Sequence, residues 1–365
     1  MTKRSLGLFL IAAFATHTLA EEHRQPKLTP QVSGTTQLLI AVSPVNSRVV
    51  WAAGTGGTYV VTTDGGNTWK AAVVHGAESL QFRSVHAVSD KVAYLMSIGN
   101  NTTDFHIYKT KDGGKNWTIE FTNQLANAFY DCFGFWTPKR GIAHSDSVNG
   151  VFPELRTTDG KTWQSIAANM PPALPGEASF AASDTCVATE GEENAWVVTG
   201  AQSIAARVLA TRDGGNTWNA YDTPLLTSPS AGAISVAFRD GWHGIVGGGD
   251  LASNSSADAA ISDDGGRTWT LTTAPPVQGA IFCLAYVRGT RHDDEDEEDD
   301  GLKRAVVITT ETEPNYDSGQ AAWTPDEGRT WIPIPNVSGY WAVGFANSKA
   351  GWFVGNNGQI LKISF

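Results

Sequence analysis

Several features that would place this chain in common protein classes are scarce or missing. Helical periodicity is scarcely visible, and no stretch after the first 20 residues approaches the roughly 20 apolar residues of a membrane helix. No cluster of lysine and arginine provides the basic face that is typical of nucleic-acid binding. We therefore expect a chain that is built from strands, has no transmembrane segment and has no nucleic-acid partner.

The first 20 residues have the parts of a secretory signal peptide. Lys3 and Arg4 form a basic start, residues 6–15 are apolar, and small residues precede Glu21. The apolar part is too short to span a bilayer, and no cysteine follows the cleavage position to carry a lipid anchor. The sequence predicts cleavage near Ala20 and a mature protein that is secreted or periplasmic.

The formal net charge of −11 is concentrated in one segment. The run from Asp293 to Asp300 carries eight of the negative charges, which leaves −3 for the rest of the chain. Calcium loops need spaced ligands and a turn glycine, whereas a solid block of like charge usually stays solvated and disordered. We expect a loop insertion at 291–301, no metal site and no cofactor.

One motif of about eight residues recurs six times. Adjacent aspartate and glycine favour a tight turn between two strands, because glycine accepts positive φ and the carboxylate accepts local N–H bonds. The tryptophan that ends the motif then packs the hairpin onto its sheet. Four copies are nearly intact, the copy at 157–163 is one residue short, and the copy at 324–331 has Glu327 where the others have glycine. The aspartates and tryptophans are Asp64, Trp69, Asp112, Trp117, Asp159, Trp163, Asp213, Trp218, Asp264, Trp269, Asp326 and Trp331.

Two apolar strands precede each copy, and an innermost strand precedes those. Alignment of the innermost strands places one residue of each in a common register, in most cases a small one. Seven innermost strands predict an all-β, seven-bladed β-propeller. The register residues are Leu38, Ser84, Cys132, Cys186, Ser235, Cys283 and Ala342.

The seventh blade lacks a motif, because the chain stops after the third strand at 359–365. The segment 27–34 has the pattern of a fourth strand and its exit, as at 332–339. The sequence therefore predicts that the N-terminal strand completes the last blade, which removes the exposed edges of an open array.

All three cysteines occupy the small register. Blades crowd together near the axis, and a free cysteine behaves as a small hydrophobe. An odd number in an exported protein raises the question of a disulfide with a free thiol, but equivalent positions on separate blades rarely satisfy disulfide geometry. We expect three buried thiols. His86, two residues after Ser84, is the one bulky polar residue among small neighbours, and we interpret it as hydrogen-bonded in the core rather than as a ligand or proton shuttle.

The motif resembles the aspartate box, or BNR repeat, of sialidases and related propellers, where the boxes lie on outer strands away from the active centre. With the Gly-Trp and Val-Gly pairs of the strands at 241–247 and 351–355, the chain looks most similar to the photosystem II stability and assembly factor family of exported propellers. The resemblance implies a single propeller over 21–365 that acts as a non-catalytic, protein-binding scaffold. We expect a monomer with an exported or membrane protein as its partner, with a glycan as another possibility.

The alternative is a glycoside hydrolase of the sialidase type. The Arg-Ile-Pro motif of sialidases is not present, and the segment 53–57 has no acid where xyloglucan-cleaving enzymes carry a catalytic aspartate. Those enzymes also use two propellers, and this chain has room for one. The missing acid and the room for only one propeller both count against hydrolysis.

A site in a propeller is expected at a mouth of the axial channel, where the segments leading into the innermost strands converge. Asp131 and Asp184 on neighbouring blades could form an acid/base pair, but capping strand ends or pairing with Arg83 is the simpler interpretation. Nearby aromatic residues suit contact with a peptide or sugar. The candidate binding residues are Arg83, Tyr130, Asp131, Asp184, Tyr340 and Trp341.

Overall fold

In the computed structural model, which describes residues 25–255, 257–287, 302–312, 316 and 318–365, the chain forms seven antiparallel sheets of four strands. In six sheets the strands follow one another in chain order from the axis outwards, and in the seventh the N-terminal strand lies outermost. This arrangement confirms the seven-bladed propeller. The predicted signal peptide (1–20) and acidic insertion (291–301) lie outside the described residues.

Each of the first three blades contains four strands that are consecutive in the chain. Blade one contains β2 (Leu39–Pro44), β3 (Val50–Gly54), β4 (Thr58–Thr62) and β5 (Lys70–Val73). Blade two contains β6 (Gln81–Ala87), β7 (Ala93–Ile98), β8 (His106–Thr110) and β9 (Trp117–Thr122). Blade three contains β10 (Tyr130–Thr137), β11 (Arg140–Ser145), β12 (Leu155–Thr157) and β13 (Trp163–Ser165).

The remaining blades repeat this order. Blade four contains β14 (Val187–Glu190), β15 (Asn194–Ala201), β16 (Ala205–Thr211) and β17 (Asn219–Thr223). Blade five contains β18 (Ala231–Phe238), β19 (Gly244–Asp250), β20 (Ala259–Ser262) and β21 (Thr270–Leu271). Blade six contains β22 (Ala280–Tyr286), β23 (Val306–Glu311), β24 (Ala321–Thr324) and β25 (Ile332–Ile334), and blade seven contains β26 (Tyr340–Asn347), β27 (Ala350–Gly355), β28 (Gln359–Ser364) and β1 (Lys27–Val32).

The N-terminal strand completes the last blade, as the sequence predicts. β1 pairs with β28 from Lys27 opposite Ser364 to Val32 opposite Gln359. Gln31 of β1 also accepts a hydrogen bond from the indole N–H of Trp69 in blade one, at 3.0 Å. The ring is therefore closed by strand pairing and by a contact to the next blade.

The register of blade one differs from the alignment of the innermost strands. In β6, β10, β18, β22 and β26 a bulge precedes the small residue, for example between Phe82 and Ser84. The corresponding bulge in β2 lies between Leu39 and Ala41. Ala41, not Leu38, is thus the equivalent of Ser84, because the uninterrupted apolar run at 38–42 fits the repeat in more than one register.

The six aspartate-containing turns share one hydrogen-bond pattern. In the first, the Asp64 carboxylate accepts from the Thr62 hydroxyl at 2.8 Å, the Thr68 hydroxyl at 2.7 Å and the Thr68 amide at 2.9 Å. The Thr62 hydroxyl oxygen accepts the Gly66 amide at 2.9 Å. A hydroxyl-to-aspartate bond and an amide-to-aspartate bond recur in the other five turns. These carboxylates are occupied in holding the turns.

The turns also join the blades. In five blades a side chain of the preceding blade donates a hydrogen bond to a glycine carbonyl of the turn, as the Tyr59 hydroxyl does to Gly114 at 2.8 Å. Such contacts need a glycine with no side chain in the way, since a Cβ on Gly114 would lie 2.4 Å from the Tyr59 oxygen. The other pairs are Tyr94 with Gly160, Arg156 with Gly214, Trp196 with Gly265 and Lys362 with Gly65.

The expectation of three free thiols is wrong. Cys132 of β10 and Cys186, at the start of blade four, form a disulfide with their Cα atoms 6.2 Å apart, and Cys283 is free and buried. Adjacent inner strands approach each other near the axis closely enough for a disulfide, whose Cα separation is usually below about 6.8 Å. The bond ties blade three to blade four.

Candidate functional site

One end of the channel, where the innermost strands begin, is covered by a segment of blade four. The connection from β13 to β14 covers 166–186, whereas the other connections between blades take five to eight residues. Its residues 177–185, which we call the plug, lie across the axis. Arg83 of blade two donates to the carbonyl of Ala181 at 2.7 Å, and Ser183 donates to the carbonyl of Phe282 in blade six at 2.7 Å. The plug thus contacts blades on both sides of the channel.

Further hydrogen bonds hold the plug along its length. At its start, Glu177 is buried and pairs with Arg207 of β16. In its middle, the Ser179 amide donates to Asp146 at 2.9 Å. At its end, the hydroxyls of Thr185 and Ser235 lie 2.7 Å apart. We call this side of the propeller the plugged end.

The six candidate binding residues lie under or within this cover rather than around an open mouth. Asp131 is 1% exposed and Trp341 is 5% exposed. Arg83 stacks over the Trp341 ring with its guanidinium carbon 5.7 Å from the ring centroid. The other buried members are Tyr130, whose hydroxyl donates to the Pro153 carbonyl at 3.0 Å, and Tyr340. The structure differs from the expected surface because the sequence alignment left the plug out.

The two candidate carboxyl groups have different neighbours. Burial raises the pKa of Asp131 well above its usual range, and the adjacent Asp146 raises it further, while Arg83 opposes the shift. Burial also raises the pKa of Asp146. Burial and the neighbouring acid thus favour the protonated form of Asp131. Asp184 instead accepts the Val85 amide at 3.1 Å. The structure does not place Asp131 and Asp184 in a common open cleft.

The opposite end of the channel is a blind cavity of about 430 Å³. Its lining reaches from Asp184 and Thr185 of the plug to residues at the ends of the innermost strands. We call this end of the channel, opposite the plugged end, the open end. The channel wall between them is a ring of one residue per blade, each two positions after the small register and each partly exposed. This ring consists of Ser43, His86, Gly134, Ala188, Ala237, Ala285 and Gly344.

Small side chains in this ring allow the inner strands to approach and leave the space open. A Cβ on Gly134 would lie 2.7 Å from a methyl group of Val187 in the next blade. His86 is the bulky exception, as the sequence indicates, and its ring stacks on Phe135 at 4.4 Å between centroids. His86 therefore shapes the wall of the cavity by packing against blade three.

Aromatic side chains line the cavity towards its open end, and contacts with residues outside the lining hold them in place. The Trp136 indole N–H donates to the Asn194 carbonyl at 2.6 Å. Phe238 stacks on Trp196 at 3.5 Å, and the Tyr286 hydroxyl donates to Glu327 at 3.0 Å. Rigid aromatic residues with few polar groups between them are typical of a preformed ligand site. Sequence reasoning missed this site because it considered the other end of the channel.

Asp184 forms part of the floor of the cavity. Burial raises the pKa of Asp184 well above its usual range, and the nearby Ser84 hydroxyl and the amides of Val85 and Phe133 oppose the shift. In the part of the chain that the structure describes, no group of three or more potential metal ligands lies together. The cavity therefore has a carboxyl group at its floor and aromatic residues at its rim.

No protein-family model matches the chain, and no curated protein matches it by sequence. Solved structures match it by shape. YCF48 bound to a D1 peptide superposes with a TM-score of 0.63 at 16% identity over 94% of this chain and 98% of that one. YCF48 from Cyanidioschyzon merolae gives a TM-score of 0.63 at 16% identity, over 92% and 98%. The likeness shows the fold.

Solved structures of glycoside hydrolases share the propeller fold as well. The GH74 enzyme from Niastella koreensis has a TM-score of 0.60 at 14% identity over 92% of this chain, and the GH74 xyloglucanase from Xanthomonas campestris has 0.56 at 12% over 92%. This chain spans 53% of each enzyme. Among the described residues, no helix combines the length and apolar character needed to cross a bilayer.

Proposed function

We propose that this chain is an exported, non-catalytic propeller that binds a segment of another protein at the open end of its channel. The blind cavity with its fixed aromatic rim is the observation that carries the proposal. Its volume of about 430 Å³ lies in the range of natural ligand sites, roughly 300–1,000 Å³. YCF48, which has the same fold, is described with a bound D1 peptide, and this supports a peptide-binding role here.

The carboxyl groups of the cavity do not suit glycoside hydrolysis. Asp184 and Glu190 both line the cavity and lie on the same innermost segment of blade four. A short 3-10 turn followed by a strand separates them by roughly 15 Å along the channel. Glycosidases place their two carboxyl groups about 5–9.5 Å apart across the scissile bond. The spacing therefore favours binding over hydrolysis.

A photo-crosslinking amino acid can test the proposal. We expect a probe at Pro138, on the rim of the cavity, to capture one exported or membrane protein in the envelope fraction of the native source, with competition by the unlabelled propeller. The matched control carries the probe at Val151, an exposed residue of the β11–β12 connection at the plugged end. Equal capture from both positions, or turnover of xyloglucan or sialyl substrates by the purified protein, would overturn it.

A further inference from the structure

The floor of the cavity holds a carboxyl group without a positive neighbour. Asp184 Oδ2 accepts the Val85 amide, whereas Oδ1 has no hydrogen-bond partner. The groups that act on this carboxyl are a hydroxyl and two amides, and no cation is among them. A buried carboxylate is costly unless it is paired with a positive charge. Asp184 therefore lacks the partner that its chemistry favours.

Two other buried acids of the described chain have a guanidinium partner. Glu177 pairs with Arg207, and Glu327 pairs with Arg239 at 2.7 Å. Arg83, the guanidinium on the plugged side of Asp184, is already bound to the Ala181 carbonyl and to Gln81. Asp184 has no such ion pair among the described residues, and it lies at the floor of the cavity.

The composition of the lining excludes some ligands and favours others. Among the described residues that line the cavity there is no lysine or arginine, while two acids, Asp184 and Glu190, are present. An anion would meet no fixed positive charge here. A cation would meet the Asp184 carboxyl group at the floor. The lining therefore selects for positive charge.

The shape of the cavity indicates which kind of group can carry a positive charge to its floor. The cavity is closed at the plug and open at the ends of the innermost strands, so a ligand must enter from one side. Its middle is lined by the small residues of the ring and by aliphatic side chains such as Val42 and Val236. A long side chain with an apolar stem and a charged tip can bury the stem and keep the tip hydrogen-bonded. Lysine and arginine have this form.

We propose that the channel cavity receives a single basic side chain, with the Asp184 carboxylate as its counter-ion. The inference rests on the proposed function, because that side chain belongs to the bound segment of the partner. It names the chemistry that the partner must present: a lysine or arginine exposed on an extended or protruding segment, without acidic residues beside it. The aromatic rim contacts the rest of the segment.

Small-molecule probes test this without knowledge of the partner. We expect Nα-acetyl-lysine amide or Nα-acetyl-arginine amide to bind the full mature chain, as measured by ligand-observed NMR titration. Asp184→Asn should weaken binding at least tenfold, because a charge-assisted hydrogen bond is lost. The asparagine oxygen can still accept the Val85 amide, so the fold should persist, and a thermal melt checks this. The matched control is Glu190→Gln, for which we expect less than a threefold change.

A second variant keeps Asp184 and removes the space. Ala237 belongs to the small ring of the channel wall, and Ala237→Leu should abolish binding of the basic probes because the longer side chain fills the channel. The uncharged Nα-acetyl-norleucine amide and the acidic Nα-acetyl-glutamate amide serve as comparison ligands. Equal affinity of either for the wild-type protein would overturn the inference, since the carboxyl would then contribute nothing to selection.

The outcomes separate this inference from the function on which it rests. If no basic probe binds but the Pro138 crosslink to a partner persists, the basic side chain is excluded and partner binding stands. If the probes bind with the expected dependence on Asp184 and no partner is captured, the cation site stands and the scaffold function fails. If Asp184→Asn binds the probes as tightly as the wild-type protein, the assignment of the counter-ion is excluded.

Discussion

The carboxylate of Glu327 accepts a hydrogen bond from Nε of Arg239 at 2.7 Å across the boundary between blades five and six. Glu327 occupies the position of a glycine in the sixth turn and has the left-handed φ of 57° that glycine would adopt without strain. Its carboxylate also accepts the Tyr286 hydroxyl at 3.0 Å. The irregular residue of the repeat is therefore an ionic contact between blades, where the other turns use a glycine carbonyl.

Replacement of Glu327 should separate the contact from the backbone strain. We expect Glu327→Ala to lower the free energy of unfolding by about 2–3 kcal/mol, because a mostly buried Arg239 loses one of its two carboxylate partners and the buried Tyr286 hydroxyl loses its acceptor. Glu327→Gly should cost about 1 kcal/mol less, since glycine adopts the left-handed conformation freely. Urea denaturation measures both. Two variants as stable as the wild-type protein would show that the contact between blades contributes nothing.

The raised pKa values of Asp131 and Asp146 give a prediction with a defined pH dependence. An acid whose pKa is raised by folding contributes stability at low pH, and this stability is lost as the pH rises through the folded-state pKa. Asp131→Asn mimics the protonated acid and can donate to Asp146. We expect it to match the wild-type stability at pH 5 and to exceed it at pH 8.

The control, Asp131→Leu, removes the hydrogen-bonding capacity of the side chain as well as its charge. Asp131→Leu leaves Asp146 buried without its partner, and we expect a loss of about 1–3 kcal/mol at pH 5. Denaturation curves for the three proteins at both pH values provide the measurement. A wild-type stability that does not change relative to Asp131→Asn between pH 5 and pH 8 would contradict the raised pKa of Asp131.

The aspartate turns predict the opposite behaviour in acid. The Thr68 hydroxyl and amide lower the pKa of Asp64 to about 2, and the amides of Thr162 and Lys161 lower the pKa of Asp159 to about 2. Their contribution is present above the unfolded-state pKa of about 3.9 and is lost as the pH falls towards 2. The free energy of unfolding should therefore decrease over this interval.

Substitution of the turn aspartates tests whether they cause the loss of stability between pH 4 and pH 2. In Asp64→Asn/Asp159→Asn the decrease between pH 4 and pH 2 should be smaller than in the wild-type protein, since two of the titrating groups are gone. Asp263→Asn, at an exposed acid beside the fifth turn, is the control and should follow the wild-type curve. A parallel loss of stability in all three proteins would exclude the turns as the source.

Most of the fold follows from the repeated motif, because each turn is a local structure with its own hydrogen bonds. The number of blades and the pairing of β1 with β28 could be predicted in this way. The register of β2 could not, since the apolar run at 38–42 has no polar residue to fix its alignment with the other innermost strands. The channel site was missed for a related reason: the plug breaks the repeat, and only the long interval between Trp163 and Cys186 signals it.

The disulfide shows the same limit, because it depends on how closely two inner strands approach. In denaturant without reductant we expect one reactive thiol, Cys283, and after reduction we expect three. The bond closes a separation of 54 residues, which corresponds to about 4 kcal/mol of chain entropy in the unfolded state. Cys132→Ala/Cys186→Ala should lose about this amount, whereas Cys283→Ala, in the same register, should lose less. Three reactive thiols in denaturant alone would exclude the bond, and blades three and four would then be joined by strand packing and by hydrogen bonds such as that of Trp136 to Asn194.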